Sequence, residues 1–255
     1  MKNLFFPVCA ALALSSCSHT YYLPTSPNVP LFKEKNEVQA NGSLGYDGTG
    51  IGSKQAQVAY SVTNHFAVTG TYADFRGGDQ NRFDYGQAQY YEMTAGYFKP
   101  IHNQLVFDVF GGYGYCQQYH QFSVYETASL DFHKLIVRPT IGYTSNYFDV
   151  AFTSSINHLS YNNASINIIR SKNDLELIQK LDRAKNIFLF EPSMMYRLGW
   201  KYVKFQAQWS ITVPLNHHDL DLNSGQVSAG LSFAFAQRFM KDRDSRAQRK
   251  NKESH

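Results

Sequence analysis

Between Val203 and Val213 every odd position is apolar (Val203, Phe205, Ala207, Trp209, Ile211, Val213) and every even one is polar (Lys204, Gln206, Gln208, Ser210, Thr212). Successive side chains of a β-strand point to opposite faces, so this stretch predicts a strand with one apolar and one polar face. Its length suits a tilted strand crossing a bilayer, which takes about 9–11 residues. Such strands close into a barrel in one of two ways. Apolar faces turned inward give a water-soluble, lipocalin-like barrel; turned outward, they meet acyl chains and leave the polar faces lining the interior. Charged residues make up only 17% of the chain and aromatic residues 15%. A soluble surface carries more charge, and aromatic girdles are a property of membrane barrels, so the outward solution is expected.

The pattern recurs. Strand candidates run over about 37–46, 54–62, 66–72, 85–98, 104–115, 131–143, 147–158, 187–198, 203–213 and 226–235. The fold class predicted is all-β, an up-and-down antiparallel transmembrane β-barrel of about ten strands (8–12). The links after the second, fourth, sixth and eighth strands are short and the others generally longer, the alternation of periplasmic turns and external loops. An even strand count returns both ends of the barrel to the periplasmic side. Pro139 and Pro192 fall inside the sixth and eighth strands, where a missing N–H interrupts a ladder; bulges, or strand sections above the membrane, are expected there. In Gly111-Gly112-Tyr113-Gly114-Tyr115 the glycines are read as making room inside a narrow barrel.

The N-terminus begins with Lys2 and a short, mostly apolar run over Leu4–Leu14, the pattern of a secretion signal. Leu14-Ser15-Ser16-Cys17 follows directly and resembles the lipobox of bacterial lipoproteins. Tyr21-Tyr22-Leu23-Pro24 through Asn28-Val29-Pro30-Leu31-Phe32-Lys33-Glu34-Lys35 resembles the opening of a family of small outer-membrane barrel lipoproteins of Gram-negative bacteria. The resemblance implies a signal peptide over 1–16, lipidation of Cys17, a barrel fold and an outer-membrane location; it implies no activity. Residues 17–35, with Pro24, Pro27 and Pro30, read as an extended tether from the lipid, with the anchor in the inner, periplasmic leaflet. The barrel is assigned to 36–237 and a basic, disordered periplasmic tail to 238–255. Cys9 leaves with the signal and Cys17 is acylated, so Cys116 has no disulfide partner.

The formal net charge is +4, and residues 240–255 carry six basic against three acidic residues, leaving the barrel balanced. No nucleic-acid partner is expected of the folded part. On the polar faces lie Glu92, Asp108, Arg138, Asp149, Glu191, Arg197 and Lys204, read as a barrel-interior charge network whose members pair to limit desolvation. In the longest loop, 160–186, Asn173 and Glu176 suggest a helix start, and Leu175, Ile178 and Leu181 give an amphipathic helix that covers the rim or meets an envelope protein. The basic tail over 240–255 is a second candidate contact for such a partner or for lipid headgroups.

No catalytic residues, cofactor or metal site are assigned. The function expected is non-catalytic, structural or interaction-based, in the cell envelope. Two alternatives stand beside it. One is an outer-membrane enzyme, protease-like or lipid-modifying, with rim residues Asp84, His218 and Asp219; the other is a small pore or ligand-binding barrel.

Overall fold

The computed structural model describes residues 20–239 except 102, 103, 168, 170, 171, 185, 218, 219, 221 and 223. Ten strands alternate in direction: β1 (Val38–Tyr46), β2 (Gly52–Ser61), β3 (Phe66–Asp79), β4 (Asp84–Pro100), β5 (Leu105–Gln121), β6 (Thr127–Thr144), β7 (Phe148–Asn167), β8 (Ile187–Gly199), β9 (Val203–Pro214) and β10 (Ser224–Phe235). Each pairs with its sequence neighbour, and β1 pairs with β10 from Val38↔Phe235 to Tyr46↔Val227, closing the barrel. One helix, α1 (Lys172–Arg183), lies in the β7–β8 connection.

The barrel is inside-out relative to a soluble one. Phe205 and Trp209 of β9 face outward and remain 55% and 49% exposed, while Gln206 and Gln208 between them are buried. Outward aromatic residues gather at one end of the strands: Tyr60, Phe66, Tyr97, Tyr143, Phe148 and Phe235. That end carries the tight connections, over 62–65, 101–104, 145–147 and 200–202. It is the turn end.

The opposite end is longer-stranded than the hydrophobic alternation suggested. β4, β5, β6 and β7 have 17, 17, 18 and 20 residues, more than a bilayer crossing needs. Segments expected as loops after the third and fifth strands instead continue the ladder as paired hairpins, so those connections shrink to 80–83 and 122–126. Beyond the bilayer no lipid enforces an apolar face, so pairing outlasts the pattern that revealed it. α1 begins at Lys172, which puts Asn173 inside the helix rather than at its cap.

Neither proline shifts the register. β6 pairs with β7 up to Val137↔Ile156 and again from Thr140↔Thr153, skipping the rungs of Arg138 and Pro139. β8 and β9 skip those of Glu191 and Pro192 between Phe190↔Val213 and Ser193↔Ser210. The one bulge between these strands and β7 lies elsewhere, between Ser129 and Asp131. A locally open ladder, rather than a bulge, accommodates each missing N–H.

The orientation has a direct consequence. Leu231→Arg, on the outward face of β10, lowers the unfolding free energy in phospholipid vesicles by about 2–4 kcal/mol. Tyr125→Arg, in a loop, leaves it within about 0.5 kcal/mol. Urea titration of vesicle-inserted protein reads both.

Candidate functional site: the occupied lumen

A ten-stranded barrel lined by polar side chains encloses a narrow bore that must be filled with side chains, water or another segment. Here a segment of the chain itself enters. Residues 20–33 have no strand partner and run through the lumen, with Tyr21, Tyr22, Asn28, Val29, Leu31 and Phe32 almost fully buried. These residues, read from sequence as part of a tether over 17–35, lie inside the barrel.

A single extended chain has no ladder, so its backbone polar groups need other partners. Pro24, Pro27 and Pro30 remove donors outright. The inward side chains of the wall supply the rest. Gln118 Nε2 and Tyr161 Oη donate to the Tyr21 carbonyl at 2.8 and 2.7 Å. Gln57 Nε2 donates to the Ser26 carbonyl at 2.6 Å, and Gln208 Nε2 to that of Pro27 at 2.9 Å. The Ser26 N–H donates to Gln55 Oε1 at 3.1 Å, and its hydroxyl lies 2.6 Å from that of Ser228.

Apolar side chains of the segment sit in apolar interruptions of the lumen wall. Tyr22 packs against Phe132, and Phe32 against Phe98 with Phe110 nearby. Val29 and Leu31 join Val106, Ala151 and Met195. Gly142 makes this possible, because a Cβ there would stand 2.5 Å from Leu31 Cδ2. Gly114 has a similar role for the wall: its Cβ would meet the Tyr90 hydroxyl at 2.3 Å.

The interior charges come together as pairs, not as one network. Arg138 Nη2 donates to Glu92 Oε1 at 2.8 Å and Lys204 Nζ to Asp149 Oδ1 at 2.6 Å. Glu191 is not paired with Arg138. It accepts from Lys134 Nζ at 3.0 Å, Asn157 at 2.7 Å and the Tyr22 hydroxyl, and Lys134 also donates to that hydroxyl at 2.8 Å. Lys134 was absent from the expected set, although it lies on the polar face of its strand. Arg197 has no carboxylate partner among the described residues. Its Nε donates to Gln206 at 2.7 Å, and Gln39, with its amide oxygen turned inward, accepts from both Nη atoms at 2.8 and 2.6 Å. Asp108 lies opposite Thr140 and has no ion-pair partner among the described residues.

Both ends of the lumen are shaped by the threaded segment. At the turn end a cavity of about 450 Å³ is lined by Lys33, Glu37, Asp149, Arg197, Lys204 and Arg238. Arg238 pairs with Glu37, and its N–H donates to Glu34 Oε1 at 2.7 Å. At the loop end, Ile178 and Leu181 of α1 and Leu220 and Leu222 of the last loop pack with Tyr21, Leu159 and Ile187. Thus α1 covers the barrel's own mouth.

Of the rim residues named from sequence, Asp84 alone is described. Asp84 pairs with Asp79 at the tip of the β3–β4 hairpin. His218 and Asp219 lie outside the described residues, as do Cys17 and the tail over 240–255. Among the described residues no cluster of three or more His, Cys, Asp or Glu is placed to hold a metal.

Closure, inside-out polarity and an aromatic turn-end girdle occur together in this chain. The fold is that of the outer-membrane β-barrels. Solved structures similar to the chain are of that kind. They include the translocator domain of the autotransporter NalP from Neisseria meningitidis (9% identity, TM-score 0.39, covering 79% of this chain and 86% of that one). The outer-membrane protease OmpT from Escherichia coli is another (8%, 0.39, 79% and 94%), as is Ail, the attachment invasion locus protein of Yersinia pestis (12%, 0.32, 79% and 99%). At such identities the likeness concerns fold alone. No family model matches the chain, and no curated protein matches it.

The buried pairs make a sharp stability prediction. Arg138→Met strands the Glu92 carboxylate in the wall and lowers stability by about 3–5 kcal/mol. Glu92→Gln combined with Arg138→Met restores at least half of that loss, measured by urea unfolding in vesicles.

Proposed function

We propose that this protein is a lipid-anchored, self-plugged outer-membrane barrel that works without catalysis, as a structural or interaction component of the envelope. One observation carries the reading: residues 20–33 occupy the lumen, with their backbone carbonyls held by inward Gln and Tyr side chains. A barrel that spends its interior on binding its own N-terminal segment is not organised to pass solutes. The mouth agrees, since α1 and Leu220 close over the segment where a pore would need an opening. The lipid, carried on Cys17, follows from the lipobox and the family resemblance. The outward loops, with the exposed side of α1, and the tail over 240–255 are the surfaces left for an envelope partner.

Conductance tests the reading. The full chain in a planar bilayer gives no steady channel. Replacement of residues 20–33 by a Gly/Ser sequence of equal length opens one, in protein whose heat-modifiable gel mobility shows that it still folds. Equal steady conductance of the two proteins refutes a plugged barrel.

A further inference from the structure

The threaded segment has a direction. Its Tyr21 end meets Gln118 near the loop end of β5 and Tyr161 near that of β7. Tyr22 meets Glu191 in the loop-end half of β8, Asn28 meets Val58 further down β2, and Lys33 Nζ reaches the Thr144 carbonyl at the turn end of β6. The chain then reverses at 34–36 and climbs back as β1. Thirteen residue steps at ~3.3 Å span ~43 Å, enough to cross a hydrocarbon core of about 30 Å.

Thr20 therefore stands at the opposite mouth from the start of β1. It lines a cavity of about 280 Å³ together with Thr49 and Gly50 of the β1–β2 loop and Asp79 and Asp84 of the β3–β4 hairpin. An even strand number does return the start of β1 and the end of β10 to the turn side. It does not bring Thr20 there, because residues 20–33 run back through the lumen.

We infer that the N-terminal end of the mature chain is displayed at the outward mouth, so that an acyl modification of Cys17 sits in the outward-facing leaflet rather than the periplasmic one. The inference rests on the lipidation reading above for the lipid and on the threading alone for the side. Cys17 is three residues before Thr20, a covalent reach of ~10 Å. β1 and β2 have only 9 and 10 residues, so their loop ends near the outer bilayer interface, where the rim is lowest. An acyl group leaving the lumen beside Thr49 and Gly50 meets lipid there. The two termini of the fold thus face opposite compartments, since β10 ends at the turn side and Arg238 is held there by Glu37.

Membrane-impermeant maleimide on intact Gram-negative cells making the full chain tests both parts. The parent is Cys116→Ser, in which Cys17 is the remaining thiol of the mature chain, and three single cysteines are added to it. Tyr125→Cys marks the loop end and Asn146→Cys the turn end. The inference predicts that Thr20→Cys reacts in intact cells as Tyr125→Cys does, while Asn146→Cys reacts only after the outer membrane is permeabilised. It also predicts that the parent takes up no maleimide and carries an alkyne-palmitate label that Cys17→Ser loses. Thr20→Cys reacting only with Asn146→Cys overturns the threading, and so does reaction only after denaturation. Asn146→Cys reacting in intact cells overturns the sidedness. A parent that reacts at Cys17 in intact cells and carries no palmitate defeats the lipid reading while supporting the outward N-terminus.

Discussion

In hydrocarbon there is no water to satisfy a backbone N–H or C=O, so a sheet can cross a bilayer only if no edge is left open. The β1–β10 ladder, from Val38↔Phe235 to Tyr46↔Val227, meets that requirement here, and the rest of the architecture follows from it. Closure commits one face of every strand to lipid and the other to a confined space. The alternation that puts Trp209 outward puts Gln208 inward, where it needs a partner of its own.

The lumen is thus a polar environment short of water. Six of its charges are neutralised locally in the Glu92–Arg138, Glu191–Lys134 and Asp149–Lys204 pairs, Arg197 is held by amides instead, and other amides bond to one another and to residues 20–33. The threaded segment and the wall answer the same need from two sides. The segment has carbonyls without a ladder, and the wall has Gln and Tyr donors without solvent. Proline suits the segment for the reason it is costly in the wall: it removes an N–H, which a strand needs for its ladder and an unladdered segment would otherwise have to pair singly, as Ser26 does with Gln55. Where proline falls in mid-strand, at Pro139 and Pro192, a rung is missing on one side and the register holds.

Strand number, order and orientation were legible because lipid enforces a two-residue period. The candidates at 187–198 and 203–213 differ from β8 and β9 by one residue at one end. Above the bilayer that enforcement stops, so the upper parts of β3, β5, β6 and β7 read as loops. The charge pairs were half legible: the inward residues could be named from parity, but the partners depend on strand stagger, which brings Arg138 to Glu92 and Lys134 to Glu191. The threading was missed, and its signal lay in departures from the pattern. Phe98, Val106, Phe110, Phe132 and Met195 are apolar at inward positions. In a barrel lined by polar residues, inward apolar side chains require an apolar guest, and Tyr22, Val29, Leu31 and Phe32 are that guest.

The central claim is that the N-terminal segment lies within the membrane-inserted wall. Ser26 and Ser228 are 202 positions apart in sequence, and their hydroxyls are 2.6 Å apart in the lumen. In a Cys116→Ser background, paired Ser26→Cys and Ser228→Cys should form a disulfide when membranes are oxidised, shifting the denatured band on a non-reducing gel until reductant is added. The single variants should show no shift. A paired variant that inserts and folds but never crosslinks would place residue 26 outside the barrel and contradict the account.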